Sequence, residues 1–218
     1  MIRHPDNTNL IFHRDSTLLG WPIQEDKGPF IQQYLHRLLE TMQYALAEYP
    51  RVFAFRVDLR LPMGIPLPDY AYTNQVIEYF IASFKAKIKH NRSRACVSNP
   101  YAHDCKVRYF WVREHGQQGK PHYHLAILLN RDAFNCLGWF NSDRDNMFNR
   151  LQEAWASALG LSIGEVRGLV ESPRKSIYKL NRGDLEGQTA FFSRTSYMCK
   201  SATKVFEDGS HAVGCSRS

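Results

Sequence analysis

Apolar side chains recur at three- and four-residue steps through Ile31, Tyr34, Leu35, Leu38, Leu39, Met42, Ala45, Leu46 and Tyr49. That spacing lines one face of a helix, which Pro50 closes. The period then drops to two. Phe53, Phe55, Val57 and Leu59 alternate with Ala54, Arg56, Asp58 and Arg60, which predicts a strand. Pro62, Gly64, Pro66 and Pro68 mark a loop, and Val76, Ile77, Phe80, Ile81, Phe84 and Ile88 form a second helical stripe. Strands are expected over 107–114 and 122–129, joined by the turn-rich HGQQGKP as a hairpin. A third helix is expected from Asp143 as N-cap through Met147, Leu151, Trp155 and Ala158 to Gly160. Residues 166–170 read as a fourth strand and roughly 189–205 as a last helix.

The middle of this order is βαββαβ, which predicts an α+β fold: a ferredoxin-like antiparallel sheet with helices packed on one face. Three regions follow. Residues 1–50 form an N-terminal arm and helix, the arm (1–28) polar and broken by Pro5, Gly20, Pro22 and Gly28. Residues 51–206 form the sheet domain, and 207–218 read as a flexible tail.

Composition narrows the function classes. With 44% hydrophobic and 13% aromatic residues in 218, general disorder is excluded. No apolar run approaches a membrane span, and MIRHPDNTNL has no signal-peptide core. Five scattered cysteines without a CxxC pair point to a reduced, cytoplasmic protein. The formal net charge of +7 makes nucleic acid the leading partner class.

Two places carry chemistry. In Pro121-His122-Tyr123-His124-Leu125 the strand period of two turns both imidazoles to one face, close enough to share a cation. The hairpin brings Glu114 back beside them, with His115 as a competing third ligand on the other side of the strand. One carboxylate and two imidazoles with open positions suit Mg²⁺ or Mn²⁺ better than a closed structural zinc site. Solvent pairing of Glu114 with Arg113 or Lys120 is the plainer alternative. On the last helix, 100° steps place Phe191, Phe192, Thr195, Met198, Cys199 and Ala202 on one side. Ser193, Tyr197, Lys200, Ser201 and Lys204 fall on the other. A tyrosine flanked by two ammonium groups is a candidate nucleophile or an ordinary solvated face.

WVREHGQQGKPHYHLAILLN (111–130), SYMCKSATK (196–204) and FAFRVDLRLP (53–62) together resemble the HUH endonuclease superfamily of rolling-circle initiators, relaxases and single-strand transposases. More narrowly, residues 50–205 resemble inovirus gene-II-like replication proteins, found in prophages as the YagK/YfjJ C-terminal domain. The resemblance implies His122, His124 and Glu114 as metal ligands, Tyr197 as nucleophile and Lys200 as the phosphate-positioning cation. Lys204 is a second candidate for that last task. It implies nicking and joining of single-stranded or hairpin origin DNA through a 5′-phosphotyrosine, in a phage, prophage or satellite element. A host polymerase would extend the 3′-OH, and because no GxxxxGK[ST] motif is present, a helicase would be a separate partner. Relaxases place their tyrosine ahead of the histidines, and single-strand transposases usually carry Gln rather than Lys after it. The order here favours an initiator.

Lys85, Lys87, Lys89, Arg92 and Arg94 concentrate at the end of the second helix and form a candidate DNA-contacting patch. Tyr178, in KSIYKLNR, has basic neighbours but matches no paired-tyrosine spacing. Tyr109, Phe110, Trp111 and Tyr123 lie in strands and read as packing. Three other functions remain open at this point: a non-catalytic DNA-binding regulator on the same fold, a single-strand transposase, and a zinc-stabilised interaction domain. The absence of clustered cysteines argues against the last.

Overall fold

The computed structural model of the chain describes residues 2–116, 119–138, 145–204, 206 and 210–217. Its central sheet has six strands: β1 Arg51–Arg60, β2 Arg108–His115, β3 Pro121–Asn130, β4 Val170–Glu171, β5 Ile177–Asn181 and β6 Val213–Cys215. The helices are α1 Gln32–Glu48, α2 Gln75–Ser98, α3 Met147–Leu159 and α4 Leu185–Ser196. Across the sheet the order is β6-β2-β3-β1, with β4 and β5 pairing successive parts of the other edge of β1. Each of these pairings is antiparallel, and the fold is α+β.

Helices cover both faces of the sheet rather than the one expected. Phe53, Phe55, Val57 and Leu59 of β1 pack with α2 and α3. Val52 and Ala54 point the other way and join Phe110, Val112, Ala126 and Leu128 beneath α1 and α4. The alternation in β1 hid this second face, because Arg56 and Asp58 made it look solvated. All eight residues Val52–Leu59 are buried. A sheet apolar on both sides has to be covered on both.

Local chemistry sets the helix ends. Asn146 caps α3 by accepting from the Asn149 amide at 2.9 Å, and Gly160 ends it at φ 69°, a left-handed angle suited to glycine. The expected cap Asp143 lies outside the described residues. Helix α4 starts and stops earlier than its stripe suggested. Asp184 caps it, accepting from the Gly187 amide at 3.0 Å. At its end, the hydroxyls of Thr195 and Ser196 donate back to the carbonyls of Phe191 and Ser193, both at 2.7 Å. Such back-bonding favours departure from the helix. Tyr197–Cys199 form a 3-10 turn, and Lys200 is extended at ψ 144°.

Two other expectations are corrected. The segment 166–170 contributes only its last residue to a strand, and the main pairing with the outer edge of β1 comes from β5, which carries Tyr178. The chain beyond Glu207 was read as loose, yet β6 pairs with β2 through Val213–Val112 and Cys215–Phe110. Trp111 packs over Gly214, where a Cβ would lie within 2.5 Å of the indole. A side chain there would displace the ring.

The N-terminal arm is docked. Phe12–His13 pairs with Phe30–Ile31, and Phe30 bridges to Lys200. The Gln24 amide donates to Ser196 Oγ at 3.1 Å, the Ser201 amide to the Pro29 carbonyl at 2.9 Å, and His4 Nε2 meets Ser201 Oγ at 3.0 Å. Thus the arm holds the segment that follows α4.

Candidate active site

The β2–β3 hairpin pairs Glu114 with His122 and Val112 with His124. The β1–β3 ladder sets Asp58 opposite His124 and Arg60 opposite His122. All these side chains leave the sheet on the face covered by α1 and α4. The two histidine Nε2 atoms lie 3.1 Å apart, and Glu114 Oε2 lies 3.4 Å from that of His124 and 3.8 Å from that of His122. His124 donates through Nδ1 to Asp58 Oδ1 at 2.7 Å, which fixes the ring and turns its Nε2 toward the cluster.

The electrostatics follow from burial and partners. Burial alone would raise the Glu114 carboxyl, but the hydrogen bond from His124 and the ammonium of Lys204 hold it well below the usual carboxylate range. Burial and the neighbouring His124 push His122 down to about 4, so near neutral pH it offers an uncharged imidazole. For His124 burial works against the charged form, yet hydrogen bonds to Asp58 and Glu114 outweigh it and raise the imidazole.

These residues fit a divalent cation. One carboxylate oxygen and two imidazole nitrogens converge within 4.8 Å of one another. At metal–ligand bonds of about 2.1 Å, neighbouring ligands stand about 3.0 to 3.4 Å apart in octahedral or tetrahedral sites. The 3.1 and 3.4 Å separations fall in that range, and the 3.8 Å from His122 to Glu114 lies just above it. Oε1 of Glu114 is occupied by Lys204 at 2.7 Å, which leaves Oε2 as the ligand atom.

The turn after α4 meets this cluster. Lys200 Nζ donates to the Tyr197 hydroxyl at 2.6 Å and lies 3.8 Å from Glu114 Oε2. One ammonium therefore links the tyrosine to the carboxylate. Lys204 does not sit on an open polar face as the helical reading expected. Its side chain is fully buried on Glu114, because the chain leaves the helix at Lys200 and turns back over the sheet. It has no face free for DNA.

Comparison with known proteins adds the lineage. The model of the YagK/YfjJ C-terminal domain matches residues 13–216. The chain belongs to the YagK/YfjJ C-terminal domain family. It is 32% identical to the uncharacterized protein YagK of Escherichia coli strain K12 over 202 residues, covering 89% of this chain and 97% of YagK. It is 31% identical to the uncharacterized protein YfjJ of the same strain over 200 residues, covering 87% and 96%. Among solved structures, the N-terminal nuclease domain of minute virus of mice non-structural protein-1 aligns over 83% of this chain and 78% of its own. Its identity is 10% and its TM-score 0.23, too low to carry an argument about this fold.

In this YagK/YfjJ-family chain the basic patch of α2 divides. Lys85 lies over the Tyr109 ring at 5.0 Å, while Lys87 faces the other way and pairs with Glu153 at 2.8 Å. Arg92 stacks on Phe134 at 4.4 Å and donates to the His103 carbonyl at 3.3 Å. Lys89 and Arg94 are exposed and line separate clefts, Lys89 beside Lys85 and Arg94 beside Lys87. Lys85 and Tyr109 lie at the opposite end of β2 from Glu114, about 17 Å away at strand spacing. Phe110, Trp111 and Tyr123 are core residues.

Tyr178 pairs with Ala54, four residues along β1 from Asp58, and donates its hydroxyl to the Lys175 carbonyl at 3.1 Å. Burial raises its phenol, against the pull of Arg194 and Arg56. The residue to which the sequence pattern assigns no role is Asp58, placed there only in the alternation of β1. Strand register was the signal that could have found it: aligning β1 with β3 sets Asp58 directly opposite His124.

Proposed function

We propose that this chain is a metal-dependent endonuclease and strand transferase for single-stranded DNA, an HUH-type site on a ferredoxin-like sheet. Its biological role is initiation of rolling-circle replication in a phage, prophage or satellite element, as in the inovirus gene-II-like proteins it resembles. The observation that carries this reading is Lys200, whose ammonium donates to the Tyr197 hydroxyl and lies 3.8 Å from the Glu114 carboxylate. The strand order β5-β1-β3-β2 with helical crossovers supports the fold assignment.

Glu114, His122 and His124 would hold a divalent cation, Mg²⁺ or Mn²⁺, which would supply positive charge against the scissile phosphate. Asp58 keeps His124 in the required tautomer and orientation. Lys204 neutralises the far oxygen of Glu114 and holds that carboxylate in place. The Tyr197 oxygen attacks phosphorus in line, its O–P bond forming as the bond from phosphorus to the 3′ oxygen breaks. The phenol proton passes to solvent and the departing 3′ oxygen takes one up. Lys200, already donating to the phenol oxygen, sets a positive charge beside the phosphate under attack. The product is a 5′-phosphotyrosine and a free 3′-OH, which a host polymerase extends with a separate helicase. Attack by a 3′-OH reverses the step and rejoins the strand. The setting is the cytoplasm of a bacterial host. No helix among the described residues is long and apolar enough to cross a membrane.

The test is covalent capture on single-stranded DNA from the protein's own replicon with Mn²⁺, read on a denaturing gel. Wild type is expected to form an adduct that chelator, Tyr197→Phe and His122→Ala each abolish. DNA binding across the replicon with no adduct in any lane would replace the nuclease with a regulator.

A further inference from the structure

Arg56 is a buried cation on the same strand face as Asp58, and the catalytic reading leaves it unused. It stands on β1 between Ala54, which pairs with Tyr178, and Asp58, which pairs with His124. Its side chain is only 6% exposed, and Nε is buried without a hydrogen-bond partner. The nearest carboxylate oxygen, Asp58 Oδ1, is 3.9 Å away and already accepts from His124 at 2.7 Å. On α4, one turn along from Phe191, is Arg194, exposed and with no carboxylate partner among the described residues. Its charge acts on both Arg56 and Tyr178. Helix α4 and β5 are in contact here, with the Phe191 ring 5.4 Å from that of Tyr178.

Burying a guanidinium with so little compensation is unfavourable, so such a group needs an explanation in the protein's function. A buried guanidinium with an unpartnered Nε, and a second arginine on the helix that ends at Tyr197, match a tetrahedral oxyanion. We infer that Arg56 and Arg194 form a phosphate-binding subsite beside Tyr197, taking a backbone phosphate of the bound strand that neighbours the scissile one. This rests on the reading of DNA as the substrate of the site. The subsite fixes the register of the strand, so that the phosphate to be cut arrives at Tyr197 and the cation cluster. Arg56 supplies the directional donors, and Arg194 closes the subsite from α4.

The experiment compares wild type with Arg56→Gln, Arg56→Lys and Arg194→Gln in three arms. In phosphate-free buffer without DNA, Arg56→Gln is expected to melt at or above the wild-type temperature, because an uncompensated charge has been removed. Inorganic phosphate at millimolar concentration is expected to raise the wild-type melting temperature by about 2–4 °C and leave Arg56→Gln unmoved. Adduct formation on single-stranded DNA is expected to fall at least tenfold in Arg56→Gln and several-fold in Arg194→Gln, with Mn²⁺ affinity unchanged. Arg56→Lys restores the charge but not the fork and recovers only part of the rate. Lower stability of Arg56→Gln together with no phosphate effect on wild type would make Arg56 a structural residue and overturn the inference. Phosphate protection of wild type lost in Arg56→Gln, with no adduct in any protein, would keep the subsite and remove the nuclease reading. Protection by oligodeoxynucleotide but not by free phosphate would assign the subsite to the strand alone.

Discussion

Glu114, His122 and His124 stand on neighbouring strands locked by a continuous ladder, with Asp58 added from a third strand in the same register. Tyr197, Lys200 and Lys204 stand on a 3-10 turn and the second turn that follows it, held from outside by Phe30, Pro29, Gln24 and His4 of the N-terminal arm. A cation site needs ligand atoms placed to a few tenths of an ångström; the sheet sets the backbone positions, and Asp58 and Lys204 fix the side chains of His124 and Glu114. In the proposed mechanism the nucleophile has to meet a substrate that arrives and leaves, and its turn is held by the arm and by Lys204 on Glu114.

The comparison can be broken from either half. Tyr197→Phe is expected to abolish adduct formation while leaving Mn²⁺ affinity unchanged, measured by titration calorimetry. Removing an imidazole, in His122→Ala or His124→Ala, is expected to lower Mn²⁺ affinity at least 100-fold and abolish the adduct too. Lys204→Met joins the halves: it leaves a buried carboxylate without its cation and should cost about 3 kcal/mol in urea unfolding of the metal-free protein. Mn²⁺ should recover more stability in Lys204→Met than in wild type. Equal recovery would mean that Lys204 and the cation do not share Glu114. Asp58→Asn is expected to lower Mn²⁺ affinity or rate by about 10- to 100-fold without moving the nucleophile. The smallest effect belongs to the arm. Ser201→Ala removes the hydrogen bond to His4 and should cost about 1 kcal/mol, with a several-fold slower adduct and unchanged Mn²⁺ affinity.

The same division governs what could be read from the chain. The period of two and the tight loop put Glu114 beside His122, since a hairpin leaves little freedom in register. The α1 stripe and the Gly160 stop were equally local signals. The turn was misread because a periodic face continues on paper past Ser196. The back-bonding hydroxyls and the docked Phe30 that end α4 are, respectively, weak in the pattern and distant in sequence. Lys204 on Glu114, β5 in place of 166–170 and the edge strand β6 all depend on pairings across the whole fold. Arg56 and Asp58 looked like a solvated face, and nothing local to β1 indicates that α4 covers it.

The most direct test of the account is to locate the covalent bond. Adduct formed with Mn²⁺ on single-stranded DNA is digested with nuclease and trypsin, and the nucleotide-bearing peptide is sequenced by mass spectrometry. The account predicts the added nucleotide mass on residues 195–200, TSYMCK, at Tyr197, and no modified peptide from His122→Ala. Nucleotide mass on residues 176–179, SIYK, at Tyr178, or an adduct that survives loss of His122, would contradict it.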